Sequence, residues 1–238
     1  MTTKKLSVSF SRLGRWPDPS EGTRACILIV LALSVSVLGQ SPSIHSIASA
    51  VDHRYNHLQT LQAEFTEIYR GAGMGRTESG TLWLKKPGKM RWQYRSPREK
   101  LFVSDGKDAW FYVPGEPQVR RTPVRQLSDL RSPLAFLLGK TKLEKELSGL
   151  SFATDIAPLT PGNVVLRGVP QAMSDQVSQV LIEVTPDSWI DRIILEGTDG
   201  SSTEFRFRGQ KEDGKIDDQS FRFEVPAGVE VIDGNFTP

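Results

Sequence analysis

Residues 81–94 read TLWLKKPGKMRWQY. Leu82 and Leu84 lie two apart, Pro87-Gly88 interrupts the run, and Met90, Trp92 and Tyr94 then alternate with Arg91, Gln93 and Arg95. Successive side chains of a strand point to opposite faces, so this pattern predicts two strands joined by a tight turn. Each strand turns one face toward an apolar interior. The same alternation appears upstream, where Leu61, Ala63 and Phe65 are separated by Gln62 and Glu64. Turn-forming residues mark the gaps: 71–75 (GAGMG), Ser96-Pro97, Asp105-Gly106 and Pro114-Gly115. Strands and turns at this cadence predict consecutive antiparallel hairpins, a meander. Alternation places Leu61, Ala63, Phe65, Leu82, Leu84, Met90, Trp92 and Tyr94 on one concave face. Across 100–112 both faces are apolar, and alternation does not choose between them.

Before the first strand, Ile44, Ile47, Ala48, Val51, Tyr55 and Leu58 recur at the spacing of an amphipathic helix, whose apolar stripe should lie on the sheet. After the meander the strand pattern breaks over 123–148. Within this break Ser132-Pro133 supplies an N-cap and a first-turn proline, and Leu134, Ala135, Phe136, Leu137 and Leu138 end at Gly139. That predicts a short helix, apolar all round, which must plug something. Strands are predicted again at 162–168, 179–185, 190–197 and 203–208, with a closing strand at 221–225. Phe205 and Phe207 face in while Arg206 and Arg208 face out, and residues 170–176 form a loop able to cover a sheet face. The expectation is one domain, mainly β with some helix.

The chain has 238 residues, 38% hydrophobic and 24% charged, ample for a packed core. Of its 30 Lys and Arg and 28 Asp and Glu, five and two lie in residues 1–39. The remainder holds 25 basic against 26 acidic residues, net −1, so the overall +2 belongs to the leader. No basic stripe exists for gripping nucleic acid. Residues 25–38 (ACILIVLALSVSVL) follow basic residues and precede small ones, the pattern of a signal peptide spanning residues 1–39 and cleaved near Gly39 and Gln40. Cleavage near Ala50 and an uncleaved anchor are the competing readings. The single cysteine, Cys26, begins this apolar run and would leave with it. The exported part, residues 40–238, would then lack disulfides and a lipid anchor of its own.

Catalytic signals are sparse. The three histidines, His45, His53 and His57, all fall on the first helix, and the His53/His57 pair at i, i+4 has no evident third ligand. With no histidine in the sheet region, a Ser-His-Asp or Cys-His nucleophile is hard to assemble. Gly71, Gly73 and Gly75 are followed by Arg76 rather than a Lys-Ser/Thr pair, so they read as a hairpin tip and not a phosphate loop. No enzyme activity and no cofactor is expected.

Residues 82–112 instead carry Trp83, Trp92, Tyr94, Phe102, Trp110, Phe111 and Tyr112. An ordinary sandwich core accounts for such a load. So does an apolar cavity under a removable cover, for which the 133–138 helix is a candidate. Residues 81–92 (TLWLKKPGKMRW), 102–112 (FVSDGKDAWFY) and 221–231 (FRFEVPAGVEV), in this order and with the SPLAFLL segment at 132–138, resemble the outer-membrane lipoprotein carrier family, LolA. The resemblance implies a single curved antiparallel sheet forming an incomplete β-barrel, with an N-terminal helix and short lid helices over its open mouth. It implies a monomer in the periplasm whose cargo is acylated lipoproteins. These would be received from an inner-membrane ABC exporter and passed to an outer-membrane acceptor. The acyl-chain cavity would be lined by Leu61, Phe65, Leu82, Leu84, Met90, Trp92 and Tyr94, and the lid formed by Leu134, Phe136, Leu137 and Leu138. The family's lid-latching arginine precedes the motif proline, and Lys86 stands there, keeping the charge without the planar fork. A lipoprotein-sensing module of the same fold is the alternative, and a periplasmic hydrolase a weaker one.

Overall fold

The computed structural model describes residues 42–124 and 142–234. The signal segment and the candidate lid at 133–138 lie outside them. Contacts divide the chain into Met1–Gln40 and Ser41–Pro238, and the described residues all belong to the second unit.

Helix α1 spans Ile44–His57. The Ser43 side chain accepts from the Ser46 N–H at 3.1 Å, supplying one of the partners a helix start lacks. Ile47, Ala48, Val51 and Tyr55, spaced at three and four residues, form its buried stripe. Strands β1 (Thr60–Gly71) and β2 (Met74–Lys85) then make one long hairpin. Its tip holds Ala72 and Gly73 at φ of 50° and 74°, as a two-residue turn matched to strand twist requires. The meander continues through β3 (Lys89–Ser96), β4 (Lys100–Asp105), β5 (Asp108–Tyr112) and β6 (Gln118–Pro123). Gly80 is required where β2 meets β3, because a Cβ there would overlap the Gln93 carbonyl.

The chain resumes at the opposite edge with a single-turn helix α2 (Leu143–Glu146) and β7 (Leu147–Phe152). A second meander returns through β8 (Val164–Pro170), β9 (Val177–Val184) and β10 (Ile190–Gly197) to β11 (Ser202–Glu212), which pairs with β1. A last strand, β12 (Glu230–Asp233), joins the far edge. The order is β12-β6-β5-β4-β3-β2-β1-β11-β10-β9-β8-β7, one open sheet of twelve strands. The expected mainly β fold, an unclosed sheet with a helix before it, is thus observed.

Three expectations need correction. The sheet is not wholly antiparallel, since β12 runs parallel to β6. No strand forms at 221–225: Asp218–Phe221 is a 3-10 turn, and the following residues cross the outer face. There Phe223 stacks on Trp110 at 5.3 Å and Phe221 is fully buried. Phe223 also meets Tyr112 at 5.7 Å while Val225 is exposed, so the alternation of Phe221, Phe223 and Val225 belongs to a strap and not to a ladder. Finally, β7 begins inside the segment read as a break.

The two faces differ in chemistry. On the inner face, α1 and α2 pack with side chains from both meanders into one large core. The outer face carries the C-terminal strap and, under residues 153–163, a small cluster of Ala153, Val165 and Leu181 beside a buried ion pair. Arg192 and Glu183 are 2.8 Å apart, with side chains 9% and 0% exposed. The Glu183 carboxylate also accepts from the Leu159 and Thr160 amides and from Asn163 Nδ2, while Arg192 donates to the Ala157 carbonyl. A buried pair is tolerated when its remaining hydrogen-bonding capacity is filled in this way.

Candidate functional site: an aromatic inner face

Strand register assembles the inner face. Leu61 pairs with Leu84 and Ala63 with Leu82; across the next ladder Leu84 pairs with Met90, Leu82 with Trp92, and Gly80 with Tyr94. Directly paired residues share a face, so all seven residues named for the cavity, with Ala63, are brought together. Six of those seven are at most 3% exposed, and Tyr94 is half-buried against the same core.

Register also settles 100–112. Trp92 pairs with Phe102, and Phe102 with Phe111, which puts both phenylalanines on the inner face. Val103 pairs with Trp110 and Leu101 with Tyr112, which puts these four on the outer face beneath the strap. Both faces were apolar because both are covered.

Aromatic rings knit the centre of the inner face across the junction of the meanders. The Phe65 ring meets Trp92 at 4.7 Å and Tyr94 at 4.9 Å, both edge-on. Trp92 also contacts Phe205 at 5.8 Å and Phe207 at 6.3 Å, from β11. Edge-on contacts of this kind add to simple burial. Phe205 and Phe207 thus face inward as their alternation predicted, and Arg206 faces outward to Glu204 at 2.7 Å.

Toward the β1–β2 turn the same face becomes polar. Tyr94 Oη donates to Glu67 at 2.7 Å, and Lys100 Nζ donates to the buried Glu78 at 2.6 Å, with Arg76 3.1 Å from the same Glu78 oxygen. Burial raises the Glu67 carboxyl above its ordinary 4.5, although the Tyr94 hydroxyl pulls the other way. The Tyr94 hydroxyl is pushed well above its ordinary value, first by burial and then by the Glu67 charge. This rim was missed in the sequence, where Glu67, Glu78 and Lys100 look like ordinary surface residues of their strands.

The raised Glu67 value sets a sign. The unfolded chain loses this proton near pH 4.5 while the folded protein still holds it, so folding stability falls as pH rises from 4.5 through the higher folded value. Glu67→Gln keeps an acceptor for Tyr94 and removes the titration. The variant is expected to lose less stability than the unsubstituted protein between pH 4 and 7 in urea titrations. Parallel curves across that range would contradict the assignment.

At the opposite end, Lys86 Nζ donates to the Tyr55 and Asn56 carbonyls at 2.6 and 3.0 Å. The last carbonyls of a helix have no partner within it, and a cation there also suits the helix dipole. Lys86 therefore ties the β2–β3 turn to the C-terminus of α1. A latch from Lys86 to residues 133–138 concerns residues outside those described, as do Leu134, Phe136, Leu137 and Leu138 themselves. His53 and His57 are exposed on α1 with ring centres 4.2 Å apart. They line a groove of about 800 Å3 with His45, Arg54, Asp187 and Glu212. Among the described residues no group of three or more His, Cys, Asp or Glu could hold a metal ion. No helix there is long and apolar enough to cross a membrane.

Comparison with known proteins places this arrangement. The family model of the outer membrane lipoprotein carrier protein LolA matches residues 56–224. An outer-membrane lipoprotein carrier protein of Nitrosospira multiformis is 28% identical over 212 residues, covering 87% of this chain and 96% of that one. One of Edwardsiella ictaluri is 29% identical over 216 residues, covering 88% and 95%. Among solved structures, an uncharacterized conserved protein of Thermus thermophilus aligns with a TM-score of 0.51 and 13% identity, over 81% of this chain and all of the other. That likeness concerns the fold alone.

Proposed function

The chain belongs to the outer-membrane lipoprotein carrier family, and from that membership and its inner face we propose that it binds the acyl chains of lipoproteins and carries them through the periplasm. It takes them from an inner-membrane ABC exporter and delivers them to the outer membrane. The observation that carries this reading is the continuous aromatic and aliphatic surface running from Met90 through Trp92 to Phe205 and Phe207.

The physics suits the task. Each methylene taken from water is worth roughly 0.8 kcal/mol, so a single long acyl chain cannot cross an aqueous space unsheltered. A sheet face built of rings offers such a chain area without demanding one protein sequence from the cargo. Phe102 and Phe111, half-buried on the same face, extend that surface sideways from Trp92 across β4 and β5. The role is that of a carrier rather than a catalyst, and transfer runs down a gradient of affinity from exporter to carrier to acceptor.

The protein purified from expressing cells and examined by native mass spectrometry is expected to carry acylated lipoprotein or acyl lipid, released when detergent is added. Preparations free of acyl cargo, even after incubation with a triacylated lipopeptide, would overturn the reading.

A further inference from the structure

Trp92 is 3% exposed at the centre of the inner face, and among the described residues its Nε1–H has no hydrogen-bond acceptor. Buried indole N–H groups ordinarily find one, because leaving a donor unpaired away from water costs free energy. The surroundings explain why none is found. Phe65, Phe205 and Phe207 offer only ring edges and faces. The Tyr94 hydroxyl, two residues along on the same face, is committed to Glu67. Ser104, next to Met90 across the ladder, donates to the Gly88 carbonyl and accepts from the Gly106 amide.

We infer that the Trp92 indole N–H is a recognition group for the carbonyl oxygen of an acyl ester or amide lying on the inner face. The inference rests on the carrier reading and deepens it, adding one polar contact to a surface otherwise without direction. A lone N–H with no free cation beside it suits a neutral acceptor. The nearby charges, Lys100 and Arg76, are already paired to Glu78, and the Glu67 carboxylate would oppose a bound phosphate or carboxylate. The ligand class with both a long apolar tail and a neutral acceptor is the fatty-acyl ester or amide. Such a contact fixes how far along the face the acyl linkage sits, a depth that hydrophobic contact cannot set because it is non-directional.

The test compares 1-monopalmitoylglycerol with 1-O-hexadecylglycerol, an ether of equal chain length that lacks the carbonyl. The unsubstituted protein is expected to bind the ester about tenfold more tightly, equivalent to about 1.4 kcal/mol. In 15N-labelled protein the Trp92 indole signal should move downfield with the ester and not with the ether. Trp92→Phe keeps a ring against Phe65 and Phe207 and removes the donor, so it should bind both lipids equally. The NMR arm needs no substitution and stands even if that variant folds poorly. Equal affinity of the unsubstituted protein for both lipids, or an indole shift common to both, would overturn the inference and leave the carrier reading intact. Failure to bind either lipid would overturn both.

Discussion

A Phe102→Glu variant is expected to keep its fold and to lose its acyl cargo. Phe102 faces inward opposite Trp92 and Phe111, yet it is only half-buried, so a carboxylate there can reach water in the folded protein. A bound hydrocarbon tail would close off that water. Placing an ionised group in hydrocarbon costs about 3 kcal/mol on insertion scales, which is roughly a hundredfold in affinity. Displacement of a fluorescent acyl probe should show that loss, while the thermal transition moves little and Phe102→Leu binds normally. Unchanged binding by the glutamate variant would remove β4 from the acyl path. Glutamate at Met90 or Leu84 is a poorer test, because each is 3% exposed and a charge there threatens the fold itself.

The second large effect concerns stability. Glu183→Ala leaves Arg192 buried, 9% exposed in its side chain, with Glu204 3.9 Å away as its other carboxylate. It also orphans the Leu159 and Thr160 amides and removes one of the two acceptors of Asn163 Nδ2, which keeps Asp191 at 3.1 Å. Breaking one partner out of a buried pair typically costs 3–5 kcal/mol, several times what an exposed pair contributes. Urea denaturation should register a loss of about that size. Replacing both partners, Glu183→Leu with Arg192→Met, should recover part of it but not all, because the Leu159 and Thr160 amides still lack an acceptor. A single variant losing under about 1 kcal/mol would show that residues 157–163 move aside and let water reach Arg192.

How much of this was legible in the sequence differs by element. Helix α1 and the faces of β1, β2 and β3 followed from periodicity alone, because each has one apolar face and one polar face, the case in which alternation is decisive. Strand β5 did not follow: the outward Trp110 and Tyr112 are as apolar as the inward Phe111, and what covers them comes from more than a hundred residues away. The strap itself was misread as a strand, since Phe221 and Phe223 alternate as a strand would, yet Phe221 is buried in a 3-10 turn and Phe223 meets the rings of Trp110 and Tyr112 rather than a neighbouring ladder. The short edge strands β7 and β12 do not alternate: a register shift between Ser148 and Ser151 separates Leu147 from Phe152 in β7, and the two apolar residues of β12, Val231 and Ile232, are adjacent. Of the site, the residues sharing the face were legible. Their contact with Phe205 and Phe207, the rim of Glu67, Glu78 and Lys100, and the Trp92 N–H left unpaired among the described residues emerge only when strands distant in sequence are set side by side.

The central claim, that acyl chains lie on the inner face, is tested most directly by photolabelling with a lipopeptide that carries a diazirine near the end of one acyl chain, followed by mass-spectrometric mapping of the adducts. Adducts are expected on inner-face residues such as Met90, Phe102 and Phe111 and should disappear when unlabelled lipopeptide competes. Adducts confined to Leu101, Trp110 or Tyr112 on the outer face, or a pattern indifferent to competitor, would contradict it.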